Sequence, residues 1–328
     1  MDKPTNGATN GGINGGTKGA PDLSIPGKSN EYTSPENAST LANFFADTEL
    51  SAENFFQGVE RISAVCVPPM LRGVGLHLPI RKKMNILDMA CGTGGVAKVI
   101  HELLKATDSQ EYVTVTCVDI NPNVVEHLQK RIKTEGWPNT TAMVGDATRT
   151  TLPSDTYDVV VCGLAFLLMN PIMSAFLECQ RVAKPGGMVA GTFLSREGCI
   201  DEIYEALSAL PAPSLPWFRT SEEFVIWYAT GPTHRADFAA HLFRCAGYSE
   251  VQASFEEGWV RAADGEDFCR LCVGHIRGVP EDLWTPALRS KHRGLLWPTI
   301  REGVDKKYGK KPFCFERSCV LVSGRKPM

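Results

Sequence analysis

Ile86-Leu87-Asp88-Met89-Ala90-Cys91-Gly92-Thr93-Gly94-Gly95 is the run on which the reading of this chain turns. It begins as a short apolar strand carrying one acid and ends in a glycine-rich turn. A helical stripe follows at Val96, Val99, Ile100, Leu103 and Leu104. Glycines between a strand and a helix let the backbone turn tightly and bring its N–H groups close to a ligand. Taken alone the run is a weak signal. Gly92-x-Gly94-x-x-Ala97 also meets the dinucleotide fingerprint, and a tight turn needs no ligand at all.

On the C-terminal side the same rhythm repeats. Residues 112–120 read as a second strand, and Asn121-Pro122 opens a helix with Asn as N-cap and Pro at the first helical position. Val124, Val125, Leu128 and Ile132 continue it. Residues 141–145, 159–163 and 188–194 read as further strands, with a helix from Asn170-Pro171 to near Ala183. Residues 251–260 and 313–323 read as the last two strands, with two helical stretches across 264–308. Apolar strands alternating with amphipathic helices predict a mostly parallel sheet covered on both faces. On the N-terminal side, residues 1–35 are Gly-, Asn- and Thr-rich and read as a disordered tail. Helical signals at 39–66 follow, stopped by Pro68 and Pro69. The organisation is therefore a tail over 1–35 and one domain over 36–328. Within that domain 36–80 is a helical cap, 84–198 the core, 199–233 an insertion, and 234–328 the C-terminal helices with the last two strands.

Three acids sharpen the glycine run. Asp88 closes the first strand, Asp119 the second, and Asp146 follows the third. Each alone is more often a solvated loop residue. Together they line the carboxyl edge of one sheet, where ligands of such folds bind. Asp119 is placed to accept from two ribose hydroxyls and Asp146 from an adenine amino group. The glycine run of a dinucleotide site meets an anionic pyrophosphate, and a carboxylate ~4 Å from a phosphate costs about 4 kcal/mol at a typical effective dielectric. The same carboxylate favours an ammonium or sulfonium. Asp88 thus favours S-adenosylmethionine over NAD.

Leu87-Asp88-x-Ala90-Cys91-Gly92-Thr93-Gly94, Val118-Asp119, Gly145-Asp146-Ala147 and Arg181-Val182-x-Lys184-Pro185-Gly186-Gly187, in that order, resemble the motifs of class I S-adenosylmethionine-dependent methyltransferases. The likeness is to the ubiquinone/menaquinone-biosynthesis type and its relatives that tailor small natural products. It implies a Rossmann-like α/β fold with a seven-stranded, mostly parallel sheet whose last strand is antiparallel. It also implies that Ala90, Cys91, Gly92 and Gly94 meet the methionine part of the cofactor, Asp119 the ribose, and Asp146 with Ala147 the adenine, with Ile120 also among the cofactor-binding residues. Gly163 and Leu164 would border the transferred methyl. The loop 162–168 lacks both the Asp/Asn-Pro-Pro-aromatic motif of nucleic-acid amino methylation and the paired glutamates of arginine methylation.

The expectation is methyl transfer to an O or N atom of a small, mostly apolar metabolite. Phe166, Trp217, Trp227 and Tyr228 would line its pocket, and 199–233 would act as a lid. Carbon methylation of a quinone precursor, an NAD-binding oxidoreductase and a non-catalytic regulator on the same fold are the alternatives. No catalytic base can be assigned among His234, His241, Glu197 and Tyr204. Net charge is −3 and no basic block is present, which disfavours nucleic acid. No run approaches the ~20 apolar residues of a membrane span. The 11 cysteines are odd in number and scattered, as in a reduced cytoplasmic protein. Cys269-Arg-Leu-Cys272 with His275 lacks an obvious fourth ligand, so no metal is expected.

Overall fold

In the computed structural model the described residues are 58, 60–210, 215–229 and 231–328. Expectations for 1–35 and for 39–57 lie outside them. The sheet is assembled from β1 (Met84–Met89), β2 (Val113–Asp119), β3 (Thr140–Val144), β4 (Tyr157–Gly163), β5 (Ala183–Glu197), β6 (Ser249–Glu256), β7 (Trp259–Ala262) and β8 (Phe313–Arg325). Its order is β3-β2-β1-β4-β5-β8-β6, with β7 pairing to β8 off that path. The first five strands run parallel. β8 enters antiparallel between β5 and β6.

Alternation along the strands sends side chains to two cores. Ile86, Val115, Val159 and Ala190 face one cluster with α1 (Val67–Gly73), α2 (Gly95–Ala106) and α3 (Pro122–Glu135). Leu87, Val118, Val160 and Phe193 face the other, with α4 (Ile172–Val182) and α7 (Ala236–Cys245). Both faces are covered, as a parallel sheet requires. Between β5 and α7 lie α5 (Cys199–Ser208) and α6 (Ser221–Tyr228); α8 (Gly265–Leu271), α9 (Val273–Leu283) and α10 (Pro286–Tyr308) precede β8.

Four expectations need correction. The helix before Pro68 and Pro69 ends at Ser63 in a 3-10 turn (Ala64–Cys66), but the prolines do more than stop it: they sit in the first turn of a new helix, α1, where a missing N–H costs nothing. The 251–260 strand is two strands on one partner. It breaks at Gly258, whose position beside the Arg317 carbonyl leaves no room for a Cβ (2.3 Å to that oxygen). The stretch 264–308 is three helices, because backbone at Cys272 and Trp284 leaves helical geometry. Asn121 caps α3 as read, accepting from the Asn123 and Val124 amides, but α4 starts one residue later, at Ile172, without a side-chain cap. Among the described residues no helix is long and apolar enough to cross a membrane.

Candidate functional site

β1 lies between β2 and β4, the point from which the chain winds outward in both directions. In open α/β sheets such a point is where the carboxyl ends of the strands part and ligands bind. The loop from β1 into α2 begins there. Ala90, Gly92 and Gly94 all have positive φ, at 54°, 53° and 89°. A Cβ on Gly94 would come within 2.5 Å of Leu128 on α3, so the loop and α3 pack only with glycine there. At Gly92 nothing lies within 4 Å, and the backbone faces open space. Gly94 gives α2 no side-chain cap and the first turn carries no acid. The helix's positive dipole end therefore favours an anionic ligand group.

Asp119 ties this loop down. Its Oδ2 accepts from the Gly92 amide at 2.8 Å and its Oδ1 from the Asn121 amide at 3.0 Å. The Cys91 amide donates to the Val118 carbonyl at 2.9 Å. Next to Asp119, Ile120 is 66% exposed, an apolar surface at the carboxyl edge of the sheet. Asp146 is exposed and forms a local turn, accepting from the Thr148 amide and hydroxyl at 2.8 and 2.7 Å. Ala147 beside it is buried. Past β4, Leu164 has a φ of 56° and its amide donates to the Thr192 hydroxyl at 3.1 Å. Gly163 sits within 3.0 Å (from a built Cβ) of Val96 in the first turn of α2. Asp88, Ala90, Cys91, Gly92, Gly94, Asp119, Gly163 and Leu164 thus lie at the carboxyl ends of β1, β2 and β4 or in the turns that follow them, with Ile120, Asp146 and Ala147 after β2 and β3.

Asp88 is the electrostatic outlier. It is fully buried, and neither carboxylate oxygen has a hydrogen-bond partner. Burial, with the nearby Asp119 charge adding to it, pushes its carboxyl up to about 8, while the Ala97 amide nearby pulls weakly the other way. A carboxyl held neutral in an apolar site becomes charged at little cost when a cation arrives.

Sequence reasoning missed the clamp behind the loop. Arg131 on α3 donates to the Thr93 carbonyl at 3.1 Å and to Glu60 at 2.6 and 3.2 Å, and its guanidinium lies 5.0 Å over Trp137. Glu60 also pairs with Lys98 at 2.7 Å. No motif flags such residues, because they hold the loop from long sequence distances.

The pocket residues divide. Phe166 is not a pocket wall: it is fully buried, packed against Phe176 at 4.8 Å and within 6.5 Å of Phe193 and Phe243. The 3-10 turn after β4 folds it inward beneath the sheet edge. Trp227 and Tyr228 are part-buried on α6, Trp227 packed at a tilt against Phe218 and Tyr228 stacked on Phe224, and Trp217 is buried with its indole N–H unpartnered. Of the candidate bases, Glu197 is tied to Arg317 and His241 contacts Cys245. His234 keeps a buried Nδ1 without a partner, and its carbonyl accepts from Ser195 on β5. Burial lowers the affinity of its ring for a proton.

Residues 86–187 match the family model described as "Methyltransferase domain". The chain is 24% identical over 269 residues to methyltransferase tpcH of Aspergillus fumigatus, covering 81% of this chain and 93% of that one. It is 26% identical over 293 residues to acetylaranotin bis-thiomethyltransferase of Aspergillus terreus, covering 88% and 98%. A ubiquinone/menaquinone biosynthesis C-methyltransferase of Desulfotalea psychrophila is 28% identical over 174 residues, 51% of this chain and 66% of that one. Phosphoethanolamine N-methyltransferase 2 of Haemonchus contortus superposes with a TM-score of 0.51 at 15% identity, over 88% of this chain and 60% of that one. That likeness shows the fold alone.

Proposed function

Since this chain is a class I S-adenosylmethionine-dependent methyltransferase, we propose that its acceptor is a nucleophilic heteroatom of a small, mostly apolar metabolite of the secondary-metabolite kind. The observation that carries the cofactor assignment is the orphaned Asp88 carboxyl beneath the glycine loop. It fits a cationic ligand and opposes a pyrophosphate. The uncapped start of α2 would receive the carboxylate of the methionine moiety, Asp119 the ribose hydroxyls, and Asp146 with Ala147 the adenine, with Ile120 against its ring. Gly163 and Leu164 would border the methyl. When bound, the cofactor would supply an electrophilic methyl on its sulfonium, and direct attack by the acceptor on that carbon would leave S-adenosylhomocysteine.

Oxygen and nitrogen acceptors are the first expectation. Sulfur joins them because a relative covered over 98% of its length is named a bis-thiomethyltransferase. The chain's own part is positioning, which can supply roughly 7–11 kcal/mol of the barrier. Trp217, Trp227 and Tyr228 would wall the acceptor side, and His234 would take the acceptor's proton. Calorimetry should show binding of S-adenosylmethionine and S-adenosylhomocysteine but not NADH. Incubation with apolar hydroxyl, amine and thiol acceptors should release S-adenosylhomocysteine. His234→Ala should cut turnover by about 10²-fold or more with unchanged cofactor affinity. Tight NADH binding without a S-adenosylmethionine signal would sink the reading.

A further inference from the structure

A second cluster of reactive side chains lies where β5 runs beyond its parallel partner. β4 ends opposite Thr192, but β5 continues to Glu197 along β8. There Glu197, Cys199 and His275 bring one ligand atom each within 4.8 Å of the others. The Cys199 Sγ lies 3.4 Å from Glu197 Oε1 and 3.7 Å from His275 Nδ1, and His275 Nε2 lies 3.6 Å from Glu197 Oε2. Ligands on a tetrahedral zinc at about 2.0–2.3 Å are separated by about 3.3–3.8 Å. The two Cys199 contacts fall in that interval; the His275–Glu197 contact runs through the other ring nitrogen, and one donor atom from each of the three residues gathers within 4.8 Å, so the three would close in slightly on an ion.

We propose that Glu197, Cys199 and His275 form a structural site for a zinc-class divalent cation. Sulfur, imidazole and carboxylate together are the donor set for that ion and a poor one for magnesium or calcium. Cys272 would supply the fourth ligand by rotation of its side chain, since its sulfur is not among the atoms gathered within 4.8 Å. Its thiol is a hydrogen-bond partner of the Cys199 thiol, and it precedes His275 by one turn, with the His275 amide donating to the Cys272 carbonyl at 2.9 Å. The spacing Cys272-x-x-His275 was visible in the sequence without further ligands. Cys269, the other nearby thiol, is turned toward the Trp297 carbonyl instead. The fold supplies Cys199 and Glu197 in its place.

Three of the four ligands are gathered before any ion arrives. Between its two β5-side ligands, the Gly198 amide donates to the Glu316 carbonyl at 2.7 Å, and a Cβ there would fall 2.8 Å from that oxygen. The Glu197 amide is held by the Ser221 hydroxyl at 2.5 Å. Glu197 and Cys199 are fully buried, and the His275 side chain is 15% exposed. Arg317 pairs with Glu197 through Oε2, leaving Oε1 on the thiol side. A divalent ion, two thiolates, one carboxylate and this guanidinium sum to zero charge. Both thiol protons leave to solvent on binding. The ion would clip the end of β5 and the start of α5 to the start of α9, closing a loop of long sequence span.

The test uses the full chain, stripped with chelator and titrated with Zn²⁺ or Co²⁺. We expect one equivalent bound, a raised melting temperature, and a thiolate-to-cobalt absorption band. Cys199→Ser and His275→Ala should each weaken binding by at least about a hundredfold. Cys245→Ser, at the exposed pair with His241, should change nothing. Wild-type protein that binds no zinc, or binding that survives both cluster variants, would overturn the proposal. Should either variant fail to fold, zinc-edge absorption on the wild-type complex decides: sulfur with nitrogen and oxygen supports the site, and a shell without sulfur refutes it.

Discussion

Asp119 has a structural task besides the ligand-binding one proposed for it. From the sequence it is an acceptor for a ligand's hydroxyls; in the fold it also holds the Gly92 and Asn121 amides. Asp119→Ala should therefore lower S-adenosylmethionine affinity at least ~tenfold, since hydrogen bonds to charged groups are worth about 1.5–3 kcal/mol. It should also lower the melting temperature of the ligand-free protein, which a side chain facing only the ligand would not do. Unchanged affinity in a folded variant would count against the assignment. Asp88 makes a pH prediction. Its carboxyl is raised to about 8, so it is neutral below that value and charged above it. A group raised in the folded state withdraws stability as pH climbs from the unfolded carboxylate range toward 8. A cationic ligand prefers the charged form. Binding should release a proton below pH 8, and affinity should rise with pH until about 8 and then level. Calorimetry in buffers of different ionisation heat reads this directly; Asp88→Asn should bind more weakly and without the slope. The Cys91 and Cys162 thiols beside Asp88 are themselves pushed up and stay protonated across this range. Neither oxygen's lack of a partner could be foreseen, because it depends on what α2 places above β1.

At the scale of elements, the turn after β4 carries both the loop that borders the site and the anchor that fixes it. Phe166 looked like a pocket aromatic because it follows an apolar strand in a loop. The 3-10 turn buries it, and β5 makes room with a glycine: a Cβ on Gly191 would lie 2.5 Å from the Phe166 ring. Gly191→Ala should cost about 1–3 kcal/mol by overpacking. Because Leu164 lies two residues before Phe166, cofactor affinity should fall as well. A thermal melt and a titration check both; a variant as stable as the parent would show that the ring has room to move. Asn121-Pro122 and Asn170-Pro171 teach a related lesson. The same dipeptide caps α3 and fails to cap α4, since a cap needs the chain to enter the helix from the right direction as well as the right residue.

At the scale of the molecule, residues 215–229 are less a removable lid than part of the core. Leu215, Trp217, Phe218, Phe224 and Val225 are all buried in the larger apolar cluster, and the Trp284 indole donates to the Pro216 carbonyl at 2.7 Å. At about 1.5–3 kcal/mol per buried apolar side chain, five such residues weigh as much as a typical domain's net stability of about 5–15 kcal/mol. Replacing the segment with a Gly/Ser linker should unfold the chain, seen as loss of the cooperative thermal transition; a folded, cofactor-binding variant would restore the view of a detachable lid. The sequence alone determined the alternation of strands and helices, the glycine turn after β1, and the places of Asp88, Asp119 and Asp146 at or after successive strand ends. Those properties follow from periods of two and 3.6 and from the backbone demands of a glycine turn, which are local. Only the tertiary structure decided that β6 and β7 share β8, that Arg131 and Glu60 clamp the glycine loop, that Phe166 turns inward, and that Glu197 and Cys199 meet His275. Each of these joins residues that are far apart in the chain or turns on which way a side chain points, and no local pattern records the packing that settles either.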